Sequence, residues 1–526
     1  MSSKFEKMLY GRWYLLFFLM SIPPLSYAQD TSDVAPINIL PSPVSYRTLY
    51  LPSVYDYRLS RRYLIQEANK GDAQAQHELG LRYLFGFGFD ADTAQGVAWL
   101  KKAADARLPI ALYNYGIMLN TGIGVEWNPF EAFRYFQFAA DSLLSQAQYA
   151  LGIIYRANLI VPRQEKIAIY YLTQAARQDF EPAHAALDEW RRKEPGLFIN
   201  FSLDDSQSAT SMIDTVFNSQ PEIALIDGGF EWDFIEFNAD SGLGYNERTI
   251  LEPLFNKNED ELGQILGART TLAAKDEGDS AKLDIILQVA RAGSPEALLM
   301  MGMFHQYGYK VKKNLIHAVH YYLRAWRLGS FKAWEFLNQM SQDSNLVPAL
   351  DQAIRRKNPE AMFDRAGMTA IGLDMSLSSA QAWSLLITAA DQKFISAVLE
   401  AGICFYSGIL VDKDRQRALE YWNLASELGD SEGDVRIDMA TLSDTLFQGN
   451  KQSSLSRLNQ AVENGSVLAQ LALGDCYKHG WGVKRNWGQA AAWYQQAGMR
   501  GNMAAFQSYK NMLDSLRPPY SEFQIR

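Results

Sequence analysis

Cysteine is nearly absent: Cys404 and Cys476 are the two in 526 residues. A disulfide framework is therefore excluded as the source of stability, and the fold must be held by burial of apolar surface. Long hydrophobic runs are missing as well. The apolar stretch from Trp13 to Met20 is roughly half the ~20 residues that a bilayer-spanning helix needs. Histidine occurs six times, and the chain has no G-x-S-x-G, no phosphate-cradling glycine loop and no zinc-ligand spacing. A basic excess is lacking too. Lys and Arg number 50 against 59 Asp and Glu, a net charge of −9, which argues against nucleic acid as a partner. What the chain has in quantity is apolar material, 48% hydrophobic and 13% aromatic, ample for a core and too much for a disordered chain.

That material recurs at a fixed step of 36 residues. Ala75, Ala111, Ala147 and Ala183 keep the step near one end; Ala361, Ala397, Gly433 and Ala469 keep it near the other, and Ala297 and Ala333 form a third run. A period of this size marks a solenoid built from one supersecondary unit. Five residues after the lead position stands Gly80, Gly116, Gly152, Gly302, Gly402 or Gly474. A glycine inside a helix costs about 1 kcal/mol relative to alanine, so it signals close approach of another helix. Three positions further lies a ring (Tyr83, Tyr155, Phe405, Tyr477), and then a glycine suited to ending a helix with positive φ (Gly86, Gly122, Gly308, Gly408, Gly480). The second helix carries alanine (Ala132, Ala168, Ala318, Ala418, Ala490) and then an aromatic (Trp99, Tyr135, Tyr171, Tyr321, Tyr421, Trp493).

The pattern A-x-x-x-L-G-x-x-Y-x-x-G-x-G-V, followed by A-x-x-W-Y-x-x-A-A, resembles the Sel-one-like repeat of the tetratricopeptide-like helical family. It is clearest from Ala75 to Gln146, from Ala397 to Glu432 and from Ala469 to Met503. The resemblance implies an all-α fold: a right-handed superhelical solenoid of antiparallel helix pairs, here with an irregular acidic middle segment. It implies work as an adaptor and no chemistry. Cysteine-rich members of the family staple each repeat with a disulfide, which this chain has no residues to do.

In chain order, residues 1–28 read as a cleavable signal peptide. Lys4, Lys7 and Arg12 precede the apolar run, and Ser26-Tyr27-Ala28 supplies small residues at the cut, with no cysteine there for a lipid anchor. Residues 29–54 carry four prolines and are expected to be extended. Helical repeats are expected over 55–194, opening on a half-repeat that covers the end of the stack. They resume over 261–516, with a last helix from Ala504 to Leu516, and residues 517–526 form a tail. Between Ala333 and Glu360 the unit shrinks to 28 residues.

Residues 195–260 hold thirteen Asp and Glu against Arg248 and Lys257, so the whole acidic excess of the chain lies there. The plain reading is a solvated surface or degenerate helix pairs. The sharper one is an acidic docking face built from Glu231, Trp232, Asp233, Phe234 and Glu236, since aromatics of this kind concentrate at binding hot spots. A glycan-binding or glycan-cleaving module around Asp227, Glu231, Trp232 and Glu236 is the alternative. Calcium ligands in a loop motif are not spaced here. Among the histidines, His317 and His320 stand one helical turn apart with His305 upstream, a pairing that metals use. In the repeat frame, however, His317 and His320 fall in slots that read as solvated, and His305 replaces the ring of the first helix. No catalytic residue, metal or cofactor is expected. Cys404 and Cys476 occupy equivalent places two repeats apart, too distant for a bond, and are expected to be free and buried.

The expected function is that of a non-enzymatic scaffold, exported to the periplasm or envelope and gripping a protein partner in the groove of the solenoid. By resemblance, the partner is secretion or motility machinery of the envelope, or the protein acts on host cells.

Overall fold

A computed structural model describes residues 61–199, 279–444, 447 and 449–525, apart from single positions 87, 309 and 331. The signal-peptide segment, the extended segment that follows it and nearly all of the acidic middle lie outside the described residues. Among the described residues all long elements are helical and no strand occurs. The described part divides into two compact units, one of residues 61–199 with 486–492 and 509–525, the other of residues 279–485 with 493–508.

The first unit begins with the half-repeat helix α1 (Arg61–Lys70). Helix pairs follow: α2 (Ala73–Phe85) with α3 (Thr93–Asp105), α4 (Pro109–Thr121) with α5 (Pro129–Asp141), and α6 (Ser145–Ala157) with α7 (Glu165–Ala176), then α8 (Glu181–Lys193). A short α9 (Pro195–Ile199) opens the stretch expected to be irregular, so helix reaches five residues further than the sequence suggests. Pro195 sits where its missing N–H is no loss, at the start of that helix.

Local causes set these boundaries. Asp72, Asp92 and Asn128 each accept a hydrogen bond from a backbone N–H of the first turn, capping α2, α3 and α5. At the other end Gly122, with φ of 70°, takes the left-handed conformation and returns its N–H to the carbonyl of Met118. Within the pairs the central glycines do what their cost implied. A Cβ on Gly116 would lie 2.7 Å from the ring of Phe136, and one on Gly152 would lie 2.6 Å from Leu172. The aromatic slots stack across the pair α6 and α7, Tyr155 on Tyr171 at 6.1 Å.

The second unit has the same grammar. It runs α10 (Asp279–Arg291), α11 (Pro295–Tyr307), α12 (Leu315–Arg327), α13 (Lys332–Ser341), α14 (Leu346–Arg355), α15 (Pro359–Ala370), α16 (Ser379–Asp391), α17 (Ile395–Ser407), α18 (Arg415–Glu427), α19 (Ser431–Ser443), α20 (Lys451–Glu463) and α21 (Val467–His479). Helix α22 (Trp487–Met499) and α23 (Met503–Leu516) end the series, and one turn of 3-10 helix spans Ser521–Phe523. In the 28-residue unit both helices are cut to ten residues, against thirteen for most others. As a result α12 packs on α13, α14 and also α15. The short unit thus brings a second helix of one repeat against the first helix of the next repeat but one.

Candidate functional site

Two features stand out from the repeat packing, one in each unit. In the second unit the position just before the lead small residue holds Glu296, Lys332, Glu360, Ser396 and Glu432 in turn. All except Glu360 are buried, and Glu360 is half-buried. One turn later stand Asp364, Glu400 and Arg436. Opposite them α12 presents His317, His320, Arg324 and Arg327, whose spacing of three, four and three places them on one helical face. The outcome is a buried ionic seam. Arg327 donates to Glu432 through both terminal nitrogens at 2.6 and 2.7 Å, and Glu432 also accepts from Arg436. Glu400 lies 3.4 Å from Arg327 Nε. Burial by itself would raise the Glu432 carboxyl, but the guanidiniums of Arg327 and Arg436 outweigh it and hold the group below the usual carboxylate range. Glu400, with weaker partners, is raised by burial.

Further along the same face the seam is less complete. His317 Nδ1 meets Glu360 Oε1 at 2.6 Å, and this hydrogen bond raises the imidazole's pKa. His320 Nε2 lies 3.4 Å from Ser396 Oγ, while its Nδ1 faces Asp364 Oδ1 at 3.4 Å. Asp364 is fully buried, and neither of its oxygens has a hydrogen-bond donor. His320, Glu360 and Asp364 offer ligand atoms that all lie within 4.8 Å of one another. Among the described residues no other such group of histidines, cysteines and acids converges.

In the first unit, residues 517–525, with their single 3-10 turn at Ser521–Phe523, lie on α5 and on the turn between α6 and α7. Phe523 is fully buried, its ring edge-on to Phe130 at 5.2 Å and to Phe133 at 5.8 Å. Glu522 pairs with Arg134 at 3.0 Å, and the same guanidinium lies 5.0 Å from the ring of Tyr520. Arg517 donates to the carbonyls of Leu159 and Ile160 at 2.9 and 3.2 Å and to the carbonyl of Phe523 at 2.6 Å. The segment read as a tail is therefore a docked peptide, anchored by one ring and two charges.

The Sel1 repeat model matches residues 73–107, 109–142, 145–180, 295–330, 395–430 and 467–502. The chain is a Sel1-like repeat helical protein. The chain is similar to DAP3-binding cell death enhancer 1 of mouse, 29% identical over 107 residues, which is 20% of this chain and 21% of that one. An uncharacterized protein of Neisseria meningitidis serogroup B is 32% identical over 126 residues, 23% of this chain and 25% of its own. The chain thus spans a quarter or less of the length of these relatives. Among solved structures, a protective antigen of uropathogenic Escherichia coli with an SLR fold is 20% identical, with a TM-score of 0.27, over 87% of this chain and 83% of that chain. A Sel1 repeat protein from Oxalobacter formigenes is 34% identical, with a TM-score of 0.24, over 24% of this chain and 96% of its own.

The Sel1 frame places the histidines only in part. His305 stacks on Tyr321 at 5.6 Å in the ring-on-ring arrangement of Tyr155 and Tyr171, so it is a packing substitute as expected. His317 is half-exposed, but His320 is buried, against the expectation that both slots are solvated. The reason is the shortened unit: α15 covers the face of α12 that other repeats leave open. A signal for the seam was present in the sequence, since acids and a lysine recur at one register position in the second set of repeats, where the first set has Gln74, Ile110 and Gln146. Cys404 and Cys476 are free and buried, as expected. Glu231, Trp232, Asp233, Phe234 and Glu236, and Asp227 of the glycan reading, lie outside the described residues. No helix among the described residues is long and apolar enough to cross a membrane.

Proposed function

We propose that this protein is a non-enzymatic protein-binding scaffold, exported by its N-terminal segment to the periplasm or envelope. The observation that carries the reading is the docking of residues 517–525 on α5 and the α6–α7 turn. A surface that buries a phenylalanine edge-on between two rings, pairs an acid with Arg134 and offers carbonyls to an arginine is suited to a short peptide segment of a partner. It has the parts of a hot spot: aromatic anchors at the centre and charged groups around them. Sel1 repeats mediate protein–protein interaction generally, and the name of the mouse relative says that it binds DAP3. Secretion or motility machinery of the envelope is the proposed partner class, on the strength of the signal-like segment of residues 1–28.

The test uses the native host of the chain. Photocrosslinking amino acids placed at Arg134 and Phe138 are expected to trap a discrete protein in envelope fractions, and N-terminal sequencing of the purified protein is expected to begin at Gln29. Absence of any discrete adduct at both positions overturns the scaffold reading. Recovery of the chain with its first 28 residues intact overturns the export.

A further inference from the structure

We infer that His320, Glu360 and Asp364 form a binding site for one divalent cation of the zinc type, buried between α12 and α15. Three observations carry this. The ligand atoms already converge, lying within 4.8 Å of one another, and His320 Nδ1 stands 3.4 Å from Asp364 Oδ1. Two ligands held ~2.1 Å from a tetrahedral ion stand about 3.4 Å apart, so that pair needs little movement and Glu360 must close in. The second observation is independent of the convergence. Asp364 is 0% exposed with both oxygens unpartnered, and His320 is 9% exposed with Nδ1 unpartnered. Buried polar groups are nearly always satisfied, and a carboxylate left bare in the interior costs several kcal/mol. A divalent ion bound by two carboxylates and a neutral imidazole is neutral overall, which answers the burial of Asp364.

The third observation is the support behind the ligands. Ser396 Oγ lies at the remote nitrogen of His320, and His317 holds Glu360 from behind at 2.6 Å. Metal ligands are oriented by such outer partners, whose loss costs 10–100-fold in affinity. Nitrogen with carboxylate oxygen suits zinc, and less tightly manganese, by donor type. Cysteine takes no part.

The experiment uses the full-length chain, stripped with a chelator and then titrated with zinc chloride, manganese chloride and cobalt chloride. Expected are one zinc per chain by elemental analysis, a rise in Tm on loading, and visible absorption of tetrahedral cobalt. Asp364→Asn and His320→Gln are expected to abolish stoichiometric binding, and His317→Ala to weaken it by about 10–100-fold. Asp364→Asn is isosteric and removes the buried charge, so its metal-free form is expected to fold; should it not, the cobalt spectrum of the unmodified chain and Glu360→Gln decide. The inference is overturned if the unmodified chain takes up no stoichiometric metal, or if binding survives these substitutions. In that outcome Asp364 is simply protonated against His320.

Discussion

A single atom decides the fate of the central glycines. At Gly474 a Cβ would lie 2.5 Å from two ring carbons of Tyr494, a ring wedged across the helix pair. Alanine there gains up to ~1 kcal/mol in helix propensity and loses about 1–3 kcal/mol to overpacking, so Gly474→Ala is expected to lower Tm. Gly196, also helical but with nothing within 4 Å of its Cβ position, is the contrast, and Gly196→Ala is expected to leave Tm unchanged or raise it. Thermal melts of the two variants side by side check this. The next residue carries a pH effect. Asp475 is half-buried beneath Tyr494, whose hydroxyl donates to it at 2.5 Å, and its desolvation raises its pKa from 3.8 to about 6 despite that bond and Lys478. Because the folded state holds the proton more tightly than the unfolded one, stability falls as pH rises through this window. Above pH ~6 the full penalty, up to about 3 kcal/mol, is in place. Asp475→Asn keeps an acceptor for Tyr494 and removes the charge. Its Tm is expected to exceed that of the parent at pH 8 and to match it near pH 4; a constant difference across pH would exclude this cause. The glycine and ring positions were legible in the sequence because each answers to a contact inside one helix pair.

Elements were less legible where their position depends on partners far along the chain. The slot of His320 is solvated in a regular repeat, as Arg134 and Glu420 illustrate, and nothing in the 36-residue pattern says what covers it. The 28-residue unit does, by shortening α13 and α14 and letting α12 reach α15. Its length was readable; the burial that follows from it was not. The last ten residues make the same point. Pro518 and Pro519 announce the end of α23, but the docking of Phe523 on Phe130 and Phe133 spans almost 400 positions of sequence. Truncating that ring removes the anchor of the segment. Loss of a buried phenylalanine costs about 3–5 kcal/mol, more than a ten-residue segment held by two further charges can absorb. Phe523→Ala is therefore expected to undock residues 517–525 while leaving the helices of the second unit intact. Hydrogen exchange checks it: amides of 521–525 lose protection and those of α15 to α19 keep theirs. Uniform loss of protection would mean that the segment is part of the core, not a docked peptide.

For the whole molecule, the absence of disulfides shifts the burden of stability to packing and to the repeats' contacts with their neighbours. Cys404 and Cys476 are the only thiols of the chain, and both are free and buried among apolar neighbours. Burial, with the nearby charge of Asp475, pushes the Cys476 thiol up to about 12, and burial with the charge of Glu400 raises Cys404 as well. A thiol nucleophile reacts as thiolate, so both are inert while the fold persists, whatever the redox state around it. Two consequences distinguish this from a fold stapled by oxidation. Tm is expected to be the same with and without a strong reductant, because no bond exists to break. A thiol reagent at neutral pH is expected to label neither cysteine in the folded protein and both after denaturation, with mass spectrometry counting the adducts. Reaction of Cys476 before Cys404 would place the first opening of the fold near α21. A reductant-dependent Tm would instead require a bond between two side chains that each lie inside a separate repeat, and with it a rearrangement of the whole stack.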